Sequence, residues 1–200
     1  MRRFRLPSMT ATEDTFARLV SLAVHDLRTP LATVAGFART LQRNELGDPI
    51  DRYVEIMVAA SDQLAELLDD VGLASRIEGG RWEPNVQEVD TLELAQSAAD
   101  GLESVVVEGT GDTVRVDREA AERALHLLAR CTLRHGGLER VTLTVDGREA
   151  AIAPVPPPVA PILSLESMRD LGAAVATRVV AELGGSIQLE PERLVVRFPG

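Results

Sequence analysis

Aromatic residues are nearly absent. One Trp, one Tyr and four Phe make up 3% of the 200 residues. A core built on rings is excluded. With 45% hydrophobic residues, the core has to come from Ala, Leu and Val, which suits closely packed helices. Cys131 is the one cysteine, which excludes an intrachain disulfide and fits a reducing compartment, so a cytoplasmic location is expected. No apolar run is long enough to span a bilayer. The opening MRRFRLPS has charges with no apolar stretch behind them, which excludes a secretory signal. Positive charge is in deficit, with 21 Lys and Arg against 31 Asp and Glu, a net charge of -10. With no segregated basic patch, nucleic acid is not an expected partner.

What is present begins with two heptad patterns. Phe16, Val20, Ala23, Leu27, Pro30, Val34, Phe37 and Leu41 alternate spacings of four and three. Tyr53, Met57, Ala60, Leu64, Leu67, Val71 and Ala74 do the same. Gly47 and Pro49 break the chain between them, so the two helices are expected to form an antiparallel hairpin over residues 12–78. Residues 1–11 are expected to be a disordered tail. Leu19, Leu22, Val24, Leu31 and Ala38 widen the apolar stripe beyond what one partner helix covers. A homodimeric four-helix bundle is the expected solution.

The stretch HDLRTPL, residues 25–31, interrupts this pattern. With Val20 and Leu27 at a and Ala23 at d, His25 falls at f, away from the seam, with Thr29 one turn on. A lone histidine on a helix is ordinarily a solvated surface residue. Here Asp26 is adjacent and can accept a hydrogen bond from one ring nitrogen, leaving the other as nucleophile. Pro30 removes a helical hydrogen bond at a cost of roughly 3 kcal/mol.

HDLRTPL resembles the phosphoacceptor box of bacterial two-component sensor histidine kinases, in their dimerisation and histidine-phosphotransfer domain. The resemblance implies that His25 carries the phosphoryl group and that Asp26 is its acid/base partner. It also implies that Thr29 orients water or phosphate. Arg28 is read as a solvated or phosphate-steadying side chain.

From about residue 79 strands and helices mix. RWEPNVQEV reads as extended, and DTLELAQSAADGL as a helix capped by Asp90 or Thr91. SVVVEG and TVRVD read as strands, REAAERALHLLARCTLRH as a helix, and RVTLTVDG and EAAIAPV as strands. SLESMRDLGAAVATRVVAELGG reads as a helix, followed by a hairpin of SIQLE and RLVVRFPG. The expected fold class is α+β, with the hairpin followed by a reduced α/β sandwich over 79–200 that resembles the histidine kinase ATP-binding domain.

The departures from that resemblance all fall on the nucleotide. Its asparagine box would place asparagines at Leu127 and Cys131 and an acid at Arg130. A thiol is a poor ligand for magnesium, which wants oxygen. Where the family has an aspartate for adenine, this chain has PVPPPVAP from Pro154, with no acid among residues 150–165. Little length remains for a lid over ATP. Of the glycine-rich phosphate turn Gly172 is retained, while Asp170 would place a negative charge near phosphates. His126 and Cys131 are five apart and share no face, so no metal site is expected.

Together these imply a histidine phosphotransferase of a phosphorelay, passing a phosphoryl group between His25 and receiver-domain aspartates. This chain would bind no cofactor, and the Mg2+ would be the receiver's. Fewer than 25 residues precede His25, so no input domain is expected. A diverged kinase or receiver phosphatase is the first alternative, and a non-catalytic dimeric scaffold for a kinase or receiver is the second.

Overall fold

The structure, a computed structural model, describes residues 9–43, 47, 50–167 and 169–200. Within the first helix, the side chains of residues 9–19, 21–23, 26 and 30 lie outside the described set. The chain divides into two units, residues 1–82 and 83–200.

The first unit is a helical hairpin, α1 (Met9–Gln42) and α2 (Ile50–Glu78). The helix begins at Met9, inside the stretch expected to be a disordered tail, and residues 1–8 lie outside the description. α1 runs unbroken through Pro30. Proline brings no N–H, so the Asp26 carbonyl has no donor four residues on. One turn later the Thr33 hydroxyl donates to the Thr29 carbonyl at 3.2 Å. Two ion pairs cross between the helices and set an antiparallel register, Arg28 with Asp69 and Arg39 with Asp62. All four side chains are about half exposed, so each pair contributes at most about 1 kcal/mol.

The seam inside the hairpin differs from the expected one. Of the seam positions, Leu27, Val34, Phe37, Leu41, Tyr53, Met57 and Leu64 are exposed, Phe37 at 69%. The buried residues are Val24, Ala35 and Ala38 on α1 and Val54, Ser61, Asp70, Gly72, Leu73, Ser75 and Ile77 on α2. Toward the loop end the buried side chains are mostly small, and toward the end of α2 Leu73 and Ile77 join them. Val24 lies against Gly72, where an added methyl would meet its Cγ1 at 3.5 Å. Small side chains let two helices of one chain approach closely. Most of the larger ones, one position round the helix, are left on an outer face.

The second unit opens with β1 (Val86–Asp90), α3 (Thr91–Ala99), β2 (Val105–Gly111), β3 (Thr113–Asp117) and α4 (Arg118–Gly136). It continues with β4 (Val141–Gly147), β5 (Glu149–Ala153), α5 (Ala160–Leu163), α6 (Leu171–Glu182), β6 (Ser186–Glu190) and β7 (Arg193–Arg197). The main sheet has the order β2-β4-β5-β7-β6, with β2 parallel to β4 and every other pair antiparallel. β1 and β3 form a separate antiparallel pair. Alternation along β4 buries Val141, Leu143 and Val145. Helices α3, α4 and α6 cover the sheet, and Leu125 and Leu128 of α4 are fully buried.

Each long helix of this unit starts on an aspartate. Asp90 accepts from the Leu92 and Glu93 amides, and Asp117 from Ala120 at 3.0 Å. α4 ends at Gly137, whose φ of 59° is left-handed. The helix expected from residue 164 begins only at Leu171, because Asp170 caps it. The preceding proline-rich stretch is not a bare connection. Val155 and Val159 are buried, and it leads into α5 with Ile162 and Leu163 also buried.

Candidate functional site

His25 stands exposed on α1. Residues 25, 28, 29, 32 and 33 follow helical spacing and line one open concavity of about 600 Å³. His25, Arg28, Thr29 and Thr33 supply its polar groups, and Ala32 adds only a methyl to its lining. At 3.6 residues per turn, this face lies roughly 160° round α1 from the exposed stripe of Leu27, Val34 and Phe37. A partner covering the stripe therefore leaves the imidazole open to a second partner. Arg28 is held by Asp69 of α2 and so offers a fixed positive charge beside His25. That tether depends on the hairpin register, which single-helix spacing does not reveal. The side chain of Asp26 lies outside the described residues.

The residues that the asparagine-box and glycine-turn comparison singled out are drawn together where α4 passes the start of α6. Asp170 caps α6, its Oδ1 accepting from the Ala173 amide at 2.9 Å. Its Oδ2 lies 2.9 Å from His135 Nε2 and 3.7 Å from Arg134 Nη1. Gly172 packs against Leu127, where an added methyl would sit 3.0 Å from Leu127 Cδ2 and 3.1 Å from Asp170 Oδ1. Here the glycine serves close packing of α6 on α4. Cys131 is buried on the same side of α4 as His135. Arg130 is half-buried and Pro154 exposed. His126 turns elsewhere, its Nδ1 lying 2.9 Å from the Ala98 carbonyl. The His135–Asp170 pair links residues 35 apart and has no local signature in the sequence. The four-residue step from Cys131 to His135 was legible, and pairing Cys131 with His126 overlooked it.

Burial pushes the Cys131 thiol up to about 12, Asp170 adds to the rise, and Arg134 opposes it. The unfolded thiol ionises near 9. The folded state keeps its proton longer, so this contribution is intact below about 9 and is lost as pH rises toward about 12. Melting temperature should fall across that window, by roughly 2–4 °C for each kcal/mol lost. Cys131→Ala should remove that part of the decline, and melting curves of the two proteins across the window check it.

Residues 17–80 match the His Kinase A (phospho-acceptor) domain family. The match takes in the helical hairpin and does not extend into the second unit. Histidine protein kinase DivJ of Caulobacter vibrioides is 33% identical over 85 residues, which are 41% of this chain and 14% of DivJ. ShkA, solved full-length in complex with AMPPNP, shares the fold with a TM-score of 0.68 at 23% identity. That likeness covers 91% of this chain and 45% of ShkA. Histidine kinase AdeS of Acinetobacter baumannii has a TM-score of 0.57 at 17% identity, over 87% of this chain and 96% of AdeS. This chain thus spans less than half the length of DivJ or ShkA. Among the described residues no helix is long and apolar enough to cross a membrane.

Proposed function

We propose that this chain is a histidine phosphotransferase. Two copies pair through the apolar stripe of the hairpin, and His25 exchanges a phosphoryl group with an aspartate of a receiver domain. A ring nitrogen of His25 attacks the phosphorus of the receiver's aspartyl phosphate. The P–O bond breaks, a P–N bond forms, and the receiver carboxylate leaves. The imidazole proton passes to Asp26 or to solvent. The receiver supplies the Mg2+. Arg28 offsets charge on the phosphoryl group, and the reverse step follows the same path.

The observation that carries the phosphotransferase reading over an ATP-using kinase is the state of the α6 N-terminus. Free amides at a helix start attract phosphate. Here Asp170 accepts from one of them, and Leu127 fills the space beside Gly172. A triphosphate would have to displace a carboxylate and overcome its charge. Titrating the chain with a fluorescent ATP analogue and Mg2+ tests this. The proposal expects no saturable binding at millimolar nucleotide, and micromolar binding would return the chain to the kinases. The position of Thr29 in the His25 concavity favours one further reading, that the same face dephosphorylates a receiver with Thr29 orienting water.

A further inference from the structure

Cys131, His135 and Asp170 present three different ligand atoms to one point. The thiol sulfur, an imidazole nitrogen and a carboxylate oxygen lie within 4.8 Å of one another. We propose that this is a binding site for a borderline divalent transition metal, Zn2+ in the first instance, clamped between α4 and the start of α6. The inference does not depend on the relay reading.

The geometry is near what the ion needs. Zinc bonds of about 2.0–2.3 Å at tetrahedral angles put ligand atoms roughly 3.3–3.8 Å apart. His135 Nε2 and Asp170 Oδ2, now 2.9 Å apart, would open by about half an ångström, and the sulfur, within 4.8 Å of both, would close by no more than roughly 1–1.5 Å. Cys131 and His135 are one helical turn apart, so one face of α4 supplies both. The thiol proton goes to solvent on binding. A thiolate and a carboxylate then balance the 2+ charge.

The surroundings suit a bound ion. Asp170 Oδ1 is held by the Ala173 amide, which orients the carboxylate while Oδ2 faces the cluster. Arg134, 3.7 Å from Oδ2, is close enough to remain as an outer partner. The His135 side chain is 25% exposed and that of Asp170 7%, which leaves a way in and a fourth position for water. Sulfur and imidazole ligands select zinc, cobalt or copper over magnesium and calcium.

Titrating the purified, untagged, reduced chain with Co2+ tests the proposal, since cobalt reports its ligands by colour. The expected result is one equivalent bound, with tetrahedral d–d bands and a thiolate-to-cobalt charge-transfer band, displaced by Zn2+. Cys131→Ser should abolish the charge-transfer band. His135→Gln, at a part-exposed position, should weaken Zn2+ binding by more than the 10–100-fold that losing an outer-shell partner costs. His25→Ala should change neither. Absence of the charge-transfer band in the wild-type chain overturns the proposal, as does Zn2+ affinity in His135→Gln within about tenfold of the wild-type chain. Far-UV circular dichroism identifies any variant that fails to fold. Cys131→Ala, with only the thiol removed, then replaces an unfolded Cys131→Ser.

Discussion

His25→Ala should reduce phosphoryl transfer from a phosphorylated receiver to background. No other exposed side chain in the concavity can replace it. Arg28 is cationic and held by Asp69, and Thr29 and Thr33 are neutral alcohols, weak nucleophiles at their ordinary protonation state. The substitution is on an exposed helical position and alanine favours helix, so the fold should be unaffected. Asp26→Asn provides the graded case. Loss of a general acid/base partner costs about 10²–10⁴-fold in rate, so label should still reach His25, but slowly. Thr29→Ala should leave labelling of His25 within about tenfold while removing any receiver dephosphorylation. Time courses with radiolabelled phospho-receiver, read by autoradiography of the wild-type and variant chains, check all three.

Phe37→Asp should turn the proposed dimer into a monomer. Phe37 is 69% exposed in the single chain and lies in a stripe with Leu27, Val34, Tyr53, Met57 and Leu64, all at least 44% exposed. Such a stripe is too apolar to face water along a whole hairpin. Burying one such side chain yields about 1.5–3 kcal/mol. Twofold symmetry removes that amount twice. The dissociation constant should therefore rise by about 10²–10⁴-fold, at 1.4 kcal/mol per factor of ten. Ala38→Asp is the contrasting variant. Ala38 is fully buried in the hairpin's own seam, so this change should unfold the first unit. Light scattering behind gel filtration separates the outcomes. A wild-type chain that is monomeric at high micromolar concentration would remove the dimer from the account.

The sequence carried the positions of most elements because local signals set them. Asp90, Asp117 and Gly137 punctuate the helices in ways that neighbouring residues alone decide. The exposed acceptor face was likewise local, since 25 and 29 lie one turn apart. Which apolar residues close the hairpin was not local. Both faces are apolar, and which of them is buried is decided only when the two helices meet. The Asp170–His135 pair and the Leu127–Gly172 contact depend on α4 meeting α6, a tertiary event. The same holds for the late start of α6. SLESMR has the composition of a helix, but the Asp170 cap stops helical hydrogen bonding from running back through it.

The central claim is that His25 receives phosphate from a protein and not from a nucleotide. One assay decides it, in which the chain is incubated with 32P-labelled phospho-receiver in one reaction and γ-32P-ATP with Mg2+ in another. The account predicts acid-labile, alkali-stable label from the receiver, absent in His25→Ala, and none from ATP. Label on His25 from ATP with none from the receiver contradicts it.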